Sequence, residues 1–223
     1  TEMLLMHFGV IPETHIYRLL RCHMVWHEDY RYWYPLTDSW GRTNYEKILA
    51  AGDGAGVSGA LAAEFKGELS ALEVAFCLGI IPAYERDRMA ASIRENIKQD
   101  AFPRPLIDSF FAFNPSLFTF EDDTTLCRCE NVTVGAIREI VSQGVTDLNE
   151  VKAITRCGMG PCQGRMCGPV LGEIVAAERN VSVPEAGLQS IRPPLKQIPL
   201  KELAAMDIAA EGVDPANLFK NQK

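Results

Sequence analysis

The chain has 223 residues, 47% apolar and 23% charged, an ordinary globular composition with room for one or two domains and a buried core. A formal charge of −7, a pI of about 5.2 and no cluster of Lys and Arg argue against a nucleic-acid partner. No apolar run reaches the roughly eighteen residues of a membrane helix, the amino end T-E-M-L-L-M-H-F-G-V lacks the basic region of a signal peptide, and seven cysteines, an odd number, suit a reducing compartment with a metal site better than a disulfide framework. The sequence therefore reads as cytoplasmic.

Residues 1–12 form an apolar run stopped by Gly9 and Pro12, which predicts a buried strand and a turn. A buried strand needs a partner for its ladder groups, so the chain is expected to be the carboxyl-terminal piece of a longer polypeptide or half of a split domain. I-Y-R-L-L-R-C predicts a helical turn, and M-V-W-H-E-D-Y-R-Y-W-Y-P predicts strands joined by turns. All four histidines, His7, His15, His23 and His27, lie in this part, and no pair has ligand spacing, so they read as structural or surface groups.

In T-N-Y-E-K-I-L-A-A-G-D-G-A-G-V-S-G, a short strand (Lys47 to Ala51) precedes a helix that runs to about Leu78. The run G-A-G-V-S-G matches G-x-G-x-x-G literally, but a dinucleotide fingerprint also needs a second strand ending in an acid about twenty residues on. Here I-P-A-Y-E-R-D-R follows the helix instead. Thr43, the strand and A-x-G-D resemble the second flavin motif of two-dinucleotide-binding oxidoreductases, and G-V-I-P-E near the start is similar to the G-x-x-P-N element preceding it in those families. That resemblance implies FAD, with Thr43, Gly52, Asp53 and Gly54 at its ribityl chain. A carboxylate at a strand end accepts hydrogen bonds from hydroxyls, and the free N–H groups and positive dipole end of the next helix face the flavin or its pyrophosphate. The alternative is an Asp-Gly turn before a small-residue helix, where Ala60, Ala62, Ala63 and Gly67 serve close packing. No candidate for the ADP-binding motif precedes residue 43, so this chain holds the flavin site in part.

Residues 81–120 read as a connector: a polar helix, then an aromatic, Pro-broken stretch in which Phe110, Phe111, Phe113, Leu117 and Phe118 are expected to pack between domains. It contains no Gly/Ser linker, which predicts a fixed arrangement. Beyond it lie T-L-C-R-C-E and, some thirty residues on, T-R-C-G-M-G-P-C-Q-G-R-M-C-G. Five of the seven cysteines thus fall between Cys127 and Cys167. In an extended segment residues i and i+2 point the same way, so Cys127 and Cys129 can offer two thiolates to one iron. A step of five residues turns about 500° on a helix, so Cys157, Cys162 and Cys167 need a loop, which Gly158, Gly160, Pro161, Gly164 and Gly168 supply. Two distant groups of thiols suit a [2Fe-2S] cluster; structural zinc usually has two to four residues between paired cysteines. Spacing alone leaves open which four of the five ligate. Between the groups, Thr133 and Thr146 are expected to cap helices carrying Ile137, Ile140 and Val141, and Leu148, Val151 and Ile154; a third helix spans Val170 to Arg179.

C-x-C-E, a helical spacer and R-C-G-M-G-P-C-Q-G-R-M-C resemble the bacterioferritin-associated-ferredoxin (BFD) type of [2Fe-2S] domain. The G-M-G-x-C-Q-G form is similar to that in the FAD and [2Fe-2S] alpha subunits of opine oxidases, hydrogen cyanide synthase, dye-linked proline or hydroxyproline dehydrogenases and anaerobic glycerol-3-phosphate dehydrogenases. The resemblance implies Cys127, Cys129, Cys162 and Cys167 as ligands, with Cys157 a neighbouring thiol, because the glycerol-phosphate branch commonly lacks a cysteine there. It also implies an α/β fold: residues 1–80 the carboxyl-terminal part of a two-dinucleotide-binding flavoprotein domain, 81–120 a connector, 121–182 a small, mostly helical BFD-like domain, and 183–223 a Pro-rich tail packing on a partner. The expected role is electron transfer in a multi-subunit amino-acid or opine dehydrogenase or oxidase. Its partners would be an FAD-containing beta subunit of amine-oxidase type, the amino-terminal portion of the same flavoprotein and an electron acceptor. No catalytic acid–base pair or nucleophile stands out in the chain. The rival functions are a pyridine-nucleotide flavin reductase with a cluster domain, and a non-catalytic ferredoxin-like or zinc-binding module.

Overall fold

The computed structural model describes residues 2–5, 9–110 and 113–205. Residues 1–191 make one compact unit, and 192–223 a second. The first unit opens on helix α1 (His15–Leu19) and an antiparallel hairpin of β1 (Met24–His27) and β2 (Tyr32–Pro35). Every pair of facing residues in this hairpin carries an aromatic ring except Met24 with Pro35, including Trp26 opposite Trp33 and His27 opposite Tyr32. Large rings fit a pleated, half-buried surface, hence strand rather than helix.

Two sequence expectations fail in this part. Met3, Leu4 and Leu5 are 75–86% exposed and pair with no strand, residues 6–8 lying outside the described residues; an apolar run is a strand only when another backbone fills its ladder. Residues 47–51 form no regular strand either. A single antiparallel bridge joins Arg42 to Leu49, and Gly52–Ala55 turns as a 3-10 helix. The turn follows from Gly52, whose φ of +64° a β-branched residue would not permit.

Helices α2 (Ala60–Cys77) and α3 (Ala83–Ala101) form an antiparallel pair closed by the Gly79-containing turn. Their junction is polar. Glu73, fully buried, is ion-paired with Arg42 and, at 2.8 Å, with Arg86. The Arg86 guanidinium also lies between the Trp40 and Phe76 rings, at 4.2 and 4.4 Å from their centroids.

After α4 (Arg104–Phe110) the aromatic connector packs only in part: Phe118 lies tilted against Phe113 and edge-on to Phe120, with centroids 4.8 and 6.2 Å apart. Phe110 is 76% exposed, contrary to expectation, and Phe111 lies outside the described residues.

The remaining elements of this unit are a small hairpin, β3 (Thr125–Cys127) and β4 (Val132–Thr133), and helices α5 (Val134–Ser142), α6 (Leu148–Thr155), α7 (Gly168–Arg179) and α8 (Val183–Ala186). Thr133 caps α5, its Oγ1 accepting from the Ala136 N–H at 3.3 Å. The cap of α6 is Asp147, not Thr146: its carboxylate accepts from Asn149 and Glu150 at 2.8 and 3.1 Å, and a charged acceptor wins at the positive helix end. Apolar residues three and four apart put Val134, Ile137 and Val141 of α5, Leu148 and Val151 of α6 and Leu171, Ile174 and Val175 of α7 into one core. Each such side chain stabilises the fold by about 1.5–3 kcal/mol when fully buried. Cys127, Cys157 and Cys167 belong to the same core. In the second unit, α9 (Leu200–Ala205) follows a Pro-rich stretch, as expected.

Candidate metal centre

The hairpin and the loop between α6 and α7 bring the cysteines together. Cys127 ends β3 and points into the core, while Cys129 lies in the β3–β4 turn and is exposed, so the two do not share the extended segment expected of them. Asn131, at φ +53°, closes that turn. The Arg156 αL cap, at φ +63°, ends α6 and starts the second cysteine loop.

The sulfurs of Cys127, Cys157 and Cys167 lie within 4.8 Å of one another, and all three residues are buried. The Cys129 and Cys162 side chains hydrogen-bond to each other nearer the surface. The four cysteines implied as ligands thus divide two and two between a buried group and one nearer the surface, where Cys129 is exposed and Cys162 half-buried, and Cys157 sits with the buried one. The Cys157 thiol is pushed up by its hydrogen bond to Cys167, and further by burial. Cys167 falls to about 7, chiefly because Cys157 donates to it. Burial opposes ionisation of Cys162, but the Met166 N–H, the Cys129 thiol and the Gly164 N–H together hold it below the usual thiol value. Thiolates are the form that iron binds, so this donor set fits an iron–sulfur cluster.

The glycine-rich loop closes on two objects. One is Cys129: a Cβ on Gly160 would overlap the Cys129 Cβ, so only glycine lets the loop approach the hairpin. The other is Gln189, which no sequence motif singles out. Its side chain is buried, its Nε2 donates to Cys157 O at 3.3 Å, and its Oε1 sits where a Cβ on Gly158, Gly164 or Gly168 would meet it at 3.1–3.4 Å. The loop is folded round this amide. Nothing local in A-G-L-Q-S marks the residue, because its partners are more than twenty positions away.

The amino-terminal part holds the same loop from outside. His15 Nε2 hydrogen-bonds Gln163 O at 3.0 Å, Arg165 Nε donates to Glu13 at 2.5 Å, and Arg31 makes a two-pronged pair with Glu173 of α7 at 2.5 and 2.8 Å. His15 is thus a buried, hydrogen-bonded structural group, in line with the sequence reading.

The residues implied at a flavin lie elsewhere in this unit. Thr43 Oγ1 donates to Ile48 O at 2.9 Å, and Asp53 is exposed in the Gly52–Ala55 turn, with Gly54 beside it against the Tyr17 ring. Lys66 Nζ, which feels the Asp53 charge, donates to Gly56 O and Ser58 Oγ at 3.0 and 2.7 Å.

Comparison with known proteins agrees with this geometry. Residues 125–177 match the BFD-like [2Fe-2S] binding domain. The chain is 40% identical over 205 residues to an opine oxidase subunit of Rhizobium meliloti (strain 1021), a match that covers 89% of this chain and 43% of the relative. It is 33% identical over 163 residues to hydrogen cyanide synthase subunit HcnB of Pseudomonas aeruginosa, 72% of this chain and 34% of the relative. The chain is thus homologous to HcnB and to this component of opine oxidase, and it carries a BFD-like [2Fe-2S] domain. It spans less than half the length of these relatives. Among solved structures, the fold matches L-proline dehydrogenase from P. horikoshii with a TM-score of 0.63 and 21% identity, over 87% of this chain and 37% of that one. No helix among the described residues is long and apolar enough to cross a membrane.

Proposed function

We propose that the chain is the electron-transfer portion of a flavin-dependent, multi-subunit amino-acid or opine dehydrogenase or oxidase, relaying electrons between FAD and a [2Fe-2S] cluster held by Cys127, Cys129, Cys162 and Cys167. The observation that carries this reading is the pairing of a buried thiol group with one nearer the surface in a single loop–hairpin site. Such a cluster accepts and returns one electron at a time. The protein's part is to set its surroundings. Burial of Cys127 and Cys167 keeps water from one side, and exposure of Cys129 leaves a short route to a donor or acceptor on the other. Gln189 and His15 hold the loop so that little rearranges when charge arrives.

In this reading residues 1–80 complete a flavoprotein domain whose amino-terminal portion binds the ADP half of FAD, and 121–182 form the cluster domain joined by 81–120; residues 183–191 of the expected tail pack on the cluster domain itself, through Val183, Ala186 and Gln189, so only the Pro-rich part beyond them is left to pack on a partner. The partner is an FAD-containing beta subunit of amine-oxidase type that oxidises the substrate, in the cytoplasm, and passes electrons on to an acceptor. The test is reduction of the complete assembly by its amine substrate in a stopped-flow spectrometer, where flavin and cluster absorbance are expected to bleach together. A cluster that stays oxidised while the flavin turns over overturns the proposal. Spectra of the isolated protein decide against the rivals: a colourless zinc protein would establish a structural module instead.

Asp53, exposed in a turn ahead of α2, suits a ribityl contact. Asp53→Ala is expected to weaken FAD binding by about 1–3 kcal/mol, the loss of a charged hydrogen-bond acceptor to the hydroxyls, read as flavin content and affinity in the complete protein. Unchanged affinity would make Gly52-Asp53 a simple turn.

A further inference from the structure

His15 is buried, yet both of its ring nitrogens face acceptors. Nε2 lies 3.0 Å from Gln163 O, and a carbonyl can only accept, so Nε2 carries a proton and the tautomer is fixed. Nδ1 is left as the basic atom, and it lies 2.6 Å from Glu13 Oε1. The two ends of the ring thus touch different surroundings. Gln163 directly follows Cys162 in the loop, while the Glu13 side chain is 56% exposed, so the imidazole joins the cluster loop to a carboxylate in contact with solvent. The other charged groups around it are Arg165 of the loop, which donates to Glu13 Oε2 at 2.5 Å, and Arg18 of α1, which donates to Gln189 O at 2.5 Å. Burial lowers the His15 pKa and the two arginines add to this, against the Gln163 carbonyl and the Glu13 charge, which raise it. At neutral pH the Nδ1 lone pair therefore faces a carboxylate at hydrogen-bond distance, where an added proton would be held between the two.

We propose that His15 is a redox-linked proton acceptor: when the cluster domain takes up an electron, one proton passes from solvent by way of the Glu13 carboxylate to His15 Nδ1. This rests on the electron-transfer reading above. The electron, supplied by reduced flavin, adds one negative charge beside the loop. The proton forms an N–H bond at Nδ1 and turns the neutral imidazole into imidazolium, so the charge of the site as a whole is unchanged. Both leave together when the acceptor takes the electron. The physical reason is that a partly buried site strongly disfavours an uncompensated charge, and histidine is the side chain whose ordinary pKa lets a nearby charge move it across neutrality. Glu13 is placed to deliver the proton because one carboxylate oxygen faces Nδ1 while the side chain as a whole reaches solvent.

The test is an EPR-monitored redox titration of the complete, cluster-loaded protein at a series of pH values from about 5 to about 9, in the parent and in His15→Gln and Glu13→Gln. Between the His15 pKa of the oxidised protein and its higher value in the reduced one, each pH unit changes the reduced-to-oxidised ratio tenfold. The parent potential is therefore expected to fall by about 59 mV per pH unit over that range and to level off on either side. His15→Gln keeps a side-chain N–H for Gln163 O and has nothing to titrate, so its potential is expected to be flat. Glu13→Gln removes a charge that raises the His15 pKa, so the sloping range is expected to move to lower pH. A second readout is proton uptake on electrochemical reduction in weakly buffered solution with a pH indicator, expected in the parent and lost in His15→Gln. Iron content and visible circular dichroism report whether each variant is folded, and the parent slope stands as a test even where a variant fails to load. A parent potential indifferent to pH, a slope that survives in His15→Gln, or a sloping range unmoved in Glu13→Gln each overturns the proposal. With a normal reduced-cluster EPR signal, any of these leaves the electron-transfer reading standing; a protein that holds no cluster removes both.

Discussion

Serine in place of Cys127, Cys129, Cys162 or Cys167 is expected to strip iron from the protein or change its visible and EPR spectra strongly, while Cys157→Ser keeps a bound cluster with at most a shifted potential. Four thiolates hold a [2Fe-2S] cluster, and the loss of one leaves an iron without its ligand. Cys157 is the fifth thiol. It is buried, and it donates to Cys167, so serine there preserves a hydrogen bond to the ligand set and alters potential through that bond alone. The close approach of Cys157 to both Cys127 and Cys167 also makes it a physically competent ligand. The pair of outcomes that reverses the assignment is therefore definite: iron lost from Cys157→Ser and retained in Cys167→Ser. Iron analysis and EPR of the reduced proteins read both.

The second large effect lies away from the thiols. Glu73→Ala is expected to destabilise the protein by about 3–5 kcal/mol, because it leaves the Arg86 and Arg42 charges facing one another at the junction of α2 and α3 without the carboxylate between them. Glu73→Gln, which keeps the volume and one acceptor oxygen, is expected to cost less. The urea midpoint at unchanged m-value reports the difference. A midpoint within error of the parent protein would show that Arg86 is held chiefly by the Trp40 and Phe76 rings rather than by Glu73.

Near-neighbour patterning is enough to predict several elements. The ring-rich alternation around Trp26 and Trp33 specifies a hairpin, apolar spacing of three and four specifies α5 through α7, and the crowding of Cys127 to Cys167 with interspersed glycines specifies a metal loop. These features are legible because the interactions that produce them span a few residues. Where a pairing partner has to come from afar, the sequence misleads. Met3 to Leu5 have the pattern of a strand and carry no ladder among the described residues, and residues 47–51 have the pattern of a short strand leading into a helix and make one antiparallel bridge.

Residue types and their spacing carry the chemistry of the site: five thiols, the glycines that let a loop enclose them, and a likeness strong enough to name the cluster type. Which groups meet is settled by the packing of the chain. It put Cys129 beside Cys162 and Cys157 in the core with Cys127 and Cys167, folded the loop round Gln189, and tied Arg18 to the Gln189 carbonyl. The reason is physical: residue type fixes what a side chain can bond to, but a partner 171 positions away, as Gln189 is from Arg18, is selected by the packing of whole elements, and no local pattern encodes it.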